Sequence, residues 1–162
     1  GGARTFVGYL REAGSFGRAA NIADINKLFW EGAPNKIFLA HDPPLNYGDV
    51  SWFKRTAEGI LACPPNTPGA LHESGGCPIL EIAIETLAPK LAVSGHFHGN
   101  PIAMEIGSRR TLTPGESLTS GMYVNPGTLL RNDMFSEGGT FAEVEIAQGG
   151  AVRYNGHRKV KR

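Results

Sequence analysis

Cysteine is scarce in this chain: two residues in 162, Cys63 and Cys77, with no Cys-x-x-Cys clamp between them. A lone thiol opening an apolar stretch, as Cys77 does, reads as a small core residue, and a reducing, cytoplasmic setting is the expectation. No apolar run approaches the roughly 20 residues that a membrane-spanning helix requires. No charged-then-apolar leader precedes a cleavage-like site, so neither spanning nor export is indicated. Charge is nearly balanced, with 16 Lys and Arg against 15 Asp and Glu. Arg158, Lys159, Lys161 and Arg162 alone exceed the net charge of +1, which leaves the body mildly acidic and offers no basic face to nucleic acid. Residues 158–162 read as a solvated basic tail. Histidine is missing from the first forty positions, and no internal repeat or low-complexity tract is visible.

What is present is a chain of globular composition, 41% hydrophobic and 19% charged, long enough for one domain with a real core. Its 22 glycines and 11 prolines make it loop-rich and exclude a helical bundle. The most informative stretch is Leu91–Asn100. A short apolar run stops at Gly95, and His96 and His98 follow two residues apart, so that in extended chain both imidazoles leave the same face. Neutral imidazole is the commonest metal ligand in proteins, though a His-x-His pair alone is also found on surfaces and in hydrogen-bonded cores. A second strand-like run, Lys36–Ala40, ends directly in His41-Asp42-Pro43-Pro44, which places a third histidine where a strand stops and a rigid loop begins. In open α/β sheets, ligands bind at the C-terminal ends of strands. Asp42 is read as a turn former ahead of proline or as an acceptor fixing an imidazole tautomer.

The rest of the chain supplies the scaffold. A short strand over Thr5–Leu10 and a helix over Asn21–Trp30, with Ile22, Ile25, Leu28 and Phe29 on one face, lead into Lys36–Ala40. A helical turn is expected around Trp52–Arg55, followed by an irregular excursion through Cys63–Gly69. A helix with an apolar stripe of Ile79, Ile82, Ala83, Thr86 and Leu87, widened by Leu80 and Ile84, stops at Pro89. Strand, loop, helix and strand from Lys36 to Ser94 then make a βαβ crossover, which brings His41 and His96 to one sheet edge. Short strands follow at Ile102–Ile106, Arg109–Thr113, Gly121–Val124, Thr140–Ile146 and Ala151–Tyr154, with Phe141, Val144 and Ile146 on one buried face of the fourth. The fold class is α/β. Asn46, Tyr47 and Asn125 are candidates for contacting a substrate, and equally for covering or turning their loops. His72 is a candidate fourth ligand or proton donor, or else a capping histidine. Lys54 and Arg55, and more weakly Arg131 and Asn132, are candidates for phosphate steering or pocket lining, against a solvated-surface reading.

Taken together, His41-Asp42-Pro43-Pro44, Gly95-His96-Phe97-His98 and Tyr123-Val124-Asn125-Pro126-Gly127-Thr128, each after a strand, resemble the C-terminal half of a calcineurin-like metallophosphoesterase, over roughly Lys36 to Ile146. The resemblance implies a β-sandwich flanked by helices in α/β/β/α layers. It also implies two divalent metal ions (Mn, Fe, Zn or similar), with His41 and His96 on one and His98 on the other. The implied reaction is hydrolysis of a phosphate mono- or diester, of a small molecule or nucleotide, by metal-activated water. The family's Asp-x-His, bridging Asp and Asn-His motifs are not found, so residues 1–157 resemble the second part of a single domain. An N-terminal segment or a partner chain is then expected to complete the site, unless catalysis has been lost. Two other readings stand beside it: a mononuclear three-histidine metal hydrolase, and a non-catalytic relative that binds a protein or nucleotide.

Overall fold

The apolar run Ile37-Phe38-Leu39 forms strand β1 (Ile37–Leu39), in a computed structural model that describes residues 35–57, 59–62, 67–96, 100–127 and 140–159. The expected strand over Thr5–Leu10 and helix over Asn21–Trp30 lie outside those residues. Beyond β1 the prolines forbid a longer strand, and the loop instead uses its carbonyls. The Cys77 amide donates to the Pro43 carbonyl at 2.9 Å, and the Leu45 amide donates to the Cys77 carbonyl at 3.2 Å. The chain then runs through β2 (Val50–Thr56), β3 (Gly59–Ala62) and β4 (Leu71–Ser74), which form an antiparallel sheet in the order β3-β2-β4. The helical turn expected at Trp52–Arg55 is therefore wrong. Val50, Trp52, Phe53 and Thr56 are β-branched or aromatic, and two antiparallel neighbours override any local helical spacing.

Helix α1 (Pro78–Leu87) starts with proline at its first turn, where no amide donor is missed, and ends at Ala88 in the left-handed region (φ 43°), its N–H bonded to the Ile84 carbonyl. Its buried residues are Leu80, Ala83 and Ile84, whereas Ile82 is exposed. The expected stripe is thus rotated by about a residue. With apolar residues on nearly every side of the helix, only the packing partners select the inner face: Leu80, Ala83 and Ile84 share one core with Phe38, Tyr47, Ala92, Met104, Ile106 and Tyr123.

After α1 the chain enters β5 (Leu91–Val93), parallel to β1, which completes the expected crossover. β6 (Ile102–Glu105), β7 (Ser117–Leu118) and β8 (Met122–Asn125) follow, and the main sheet has the order β1-β5-β8-β6, with β5 and β8 parallel and β6 antiparallel. The strand expected at Arg109–Thr113 is reduced to a single bridge, Thr111 to Met104, because the chain turns at Ile106–Ser108 and Arg109 adopts φ 58°. β9 (Thr140–Ile146) and β10 (Val152–Lys159) form a hairpin, with β7 on the far side of β10. In β9 the half-buried positions are Thr140, Ala142, Val144 and Ile146, with Phe141 exposed, so the alternation is in register for two of its three expected members. Strand β10 runs on past Tyr154 through a bulge between Tyr154 and Gly156. Arg158 and Lys159 are its last residues, opposite Phe141 and Thr140, and are not part of a frayed tail.

The two faces of the main sheet carry different cores. Phe38, Ala92 and Tyr123 meet α1, while Ala103, Met122 and Val124 meet Leu118, Val152 and Tyr154 of the β7-β10-β9 sheet. The described chain is a mixed α/β fold of sheets with one helix. No helix among the described residues is long and apolar enough to cross a membrane.

Candidate metal centre at the β1 and β5 ends

The parallel pairing of β1 and β5 continues past both strands as a line of backbone hydrogen bonds. The Ala40 amide donates to the Val93 carbonyl and the Gly95 amide to the His41 carbonyl, each at 3.0 Å. His41 and His96 are therefore carried out of the sheet side by side. His96 then turns inward by adopting φ 65°, a left-handed conformation that costs a non-glycine residue about 1–2 kcal/mol. Its imidazole meets that of His41, with Nδ1 of His96 3.2 Å from Nε2 of His41 and the rings nearly perpendicular, at 81°. The carboxylate of Asp42 lies 3.8 Å from the same Nδ1. One donor atom from each of His41, Asp42 and His96 falls within 4.8 Å of the others.

The His41–His96 pair, which shares a hydrogen bond here, has the donor spacing of a first-row divalent cation, with the Asp42 carboxylate standing farther off. Ligand bonds of about 2.0–2.1 Å at tetrahedral angles place two donors about 3.3–3.4 Å apart, close to the His–His separation. Two imidazoles and one carboxylate suit zinc, iron or manganese, and among the described residues His41 and His96 are exposed. Asp42 is the residue that sequence reasoning undervalued. The chain bends at His41 and Asp42, so adjacent side chains converge where strand alternation would have separated them. His98 lies outside the described residues, as do Arg131 and Asn132.

The other sequence candidates have other positions. Tyr47 is fully buried; its hydroxyl lies 2.9 Å from Oε1 of Glu85 and accepts the Gly107 amide, also at 2.9 Å, so Tyr47 is core and not substrate surface. Burial raises its pKa, the Gly107 bond partly opposing. Asn46, at φ 65°, donates from Nδ2 to Oε1 of Glu81 at 2.8 Å and ties the loop to α1. Asn125 is buried, and its Oδ1 accepts the Gly127 amide at 3.0 Å, which is the turn-forming role. His72 sits in β4, where it stacks on Trp52, and is not among the residues that converge with His41. Lys54 and Arg55 lie on β2.

Beneath the site, Ser94 and Tyr123 share a buried hydrogen bond of 2.7 Å, and burial pushes the Tyr123 hydroxyl far above its ordinary range. Asn100 donates from Nδ2 to the carbonyls of Gly48 and Val50, both at 3.2 Å, joining the chain beyond His96 to the start of β2. On the far face, His157 bonds from Nε2 to the Asn125 carbonyl at 2.8 Å, so Nε2 carries the proton and Nδ1 faces the Tyr154 hydroxyl. Burial lowers the His157 pKa below 6.5, the Asn125 bond partly opposing. Because the folded value lies below the unfolded one, its contribution to stability is complete above about pH 6.5 and is lost as the pH falls toward the folded pKa. Urea denaturation at pH 8 and pH 5 is expected to show a loss of stability on acidification that His157→Gln diminishes.

No protein-family model, curated protein or solved structure matches the chain.

Proposed function

We propose that this chain is a metal-dependent phosphoester hydrolase of the calcineurin-like kind, with His41, Asp42 and His96 as metal ligands. The observation that supports it is the convergence of these three residues beyond the C-terminal ends of two adjacent parallel strands. The motif resemblance supplies the reaction class, and the helix–sheet–sheet layering accords with the α/β/β/α sandwich it implies. When bound, a divalent cation acidifies a water molecule and neutralises charge on phosphoryl oxygens. The protein's part is to hold that charge in place. Two neutral imidazoles leave the positive charge intact, and the Asp42 carboxylate offsets one unit of it. No residue here is assigned as the attacking base. A second ion of the dinuclear centre would use His98 and donors from an N-terminal segment or partner chain. The substrate is a phosphate mono- or diester of a small molecule or nucleotide, and the setting is cytoplasmic, in keeping with Cys77 as a free thiol.

A second reading, a mononuclear hydrolase, is supported by the three described donors that gather at one point, which would suffice for one ion, with Asp42 in place of the third histidine expected of such a site. Calorimetric titration of metal-stripped protein with Mn²⁺ and Zn²⁺, paired with hydrolysis of aryl phosphate mono- and diesters, tests both. Two ions per chain with metal-dependent turnover fits the dinuclear site; one ion with turnover fits the mononuclear one. Absence of saturable binding would sink both readings.

A further inference from the structure

The sheet β3-β2-β4 carries an aromatic pair with no role in the site above. Trp52 and His72 stand directly opposite each other on β2 and β4, with ring centroids 4.9 Å apart and planes inclined by 38°. His72 is exposed and Trp52 half-buried, so the rings present one contiguous surface that solvent reaches. Strand alternation puts Lys54 on the same face, two residues along β2 and about 6.6 Å away. Among the described residues no carboxylate lies within ion-pair distance of Lys54. An aromatic platform beside a lysine that no described carboxylate pairs is complementary to a ligand that joins a flat ring to an anion.

We propose that the Trp52–His72–Lys54 face binds a nucleoside monophosphate, the base stacking on the indole and imidazole and the phosphate pairing with the Lys54 ammonium. Stacking is the term that recognises the base, since every base presents a π-face to an aromatic side chain. Charge then selects nucleotide over nucleoside. The position of the sheet also matters. The Val50 carbonyl at the start of β2 is held by Asn100, so the platform begins where the chain leaves the His96 loop. The site does not depend on a bound metal.

Titration of metal-stripped protein with adenosine 5′-monophosphate, adenosine and inorganic phosphate, read by isothermal calorimetry and by indole fluorescence, tests it. The monophosphate is expected to bind more tightly than either part and to quench the Trp52 emission, a signal that Trp52→Leu removes. His72→Ala is expected to weaken binding of both adenosine and its monophosphate by about tenfold. Lys54→Gln should weaken the monophosphate alone and bring it level with adenosine. Both substitutions are at positions that solvent reaches, and unchanged thermal unfolding of each variant confirms an intact fold. His96→Ala should leave this binding unchanged, which separates the platform from the metal centre. No binding by wild-type protein, or equal affinities in wild type, His72→Ala and Lys54→Gln, overturns the proposal.

Discussion

His96→Ala is expected to lower metal-dependent phosphoester turnover by at least about a hundredfold and to abolish saturable binding of the first ion. Loss of even an outer partner of a metal site costs about 10–100-fold in affinity or activity, and His96 is a direct donor in the proposed set. Its Nδ1 is the atom that both His41 and Asp42 approach, at 3.2 and 3.8 Å. Removing it leaves two donors from adjacent residues, which do not enclose an ion. A companion variant separates function from folding. His96→Gly also removes the imidazole but relieves the left-handed backbone at φ 65°, so it should be more stable than His96→Ala by about 1 kcal/mol. Inactive but well-folded glycine protein would show that the strain at His96 serves the ligand and not the fold. Wild-type metal content and turnover in both variants would end the metal-centre proposal.

The second large effect is on stability. Tyr47→Ala is expected to cost about 3–5 kcal/mol, the range for deleting a buried aromatic ring. Tyr47 is completely inaccessible and packs edge-on to Tyr123, with ring centroids 5.5 Å apart. Its hydroxyl joins three segments: the loop after β1, Glu85 of α1, and Gly107 of the turn after β6. The guanidinium of Arg109 lies 5.9 Å from the ring centroid and pairs with Glu81 and Glu85, so the ring also seats a surface ion cluster. Tyr47→Phe keeps the ring and should cost only about 1 kcal/mol for the lost hydrogen bonds. Urea denaturation curves of the two variants measure the difference. Equal, small losses would mean that the loop carrying His41 is held mainly by the backbone bonds of Pro43 and Leu45 to Cys77.

The parts of this structure that were legible in the sequence are those where one local rule acts alone. The β1 and β5 strands are apolar runs ended by His41-Asp42-Pro43-Pro44 and by Gly95, and the intervening helix is bounded by Pro78 and Pro89, so the crossover and the meeting of His41 with His96 follow from punctuation. Where two rules compete, local reading fails. Trp52-Phe53-Lys54-Arg55 mixes strand-favouring aromatics with helix-favouring cations, and the partners Leu71–Ser74 and Gly59–Ala62 decide for a strand. Tyr47 follows a rigid loop next to a histidine, the usual place of a ligand contact. Its burial depends on Glu85 and Gly107, 38 and 60 residues away. Asp42 shows the reverse case: a residue suited to a turn before proline also brings a carboxylate to the imidazoles.

The two histidines that meet at the sheet edge are 55 residues apart in the chain. An unfolded chain gains nothing from a cation at that pair, because closing so long a loop carries an entropic cost that the contact alone does not repay. The pair forms only when β1 has docked on β5, and non-local parallel pairing is among the slower events of folding. A cation that prefers the assembled pair to the unfolded chain stabilises the native state, by at most RT ln(1 + [M]/Kd). With an ion at the proposed centre, metal supply and the closure of the β1–β5 crossover would be linked quantities, since β1 is an edge strand of the main sheet.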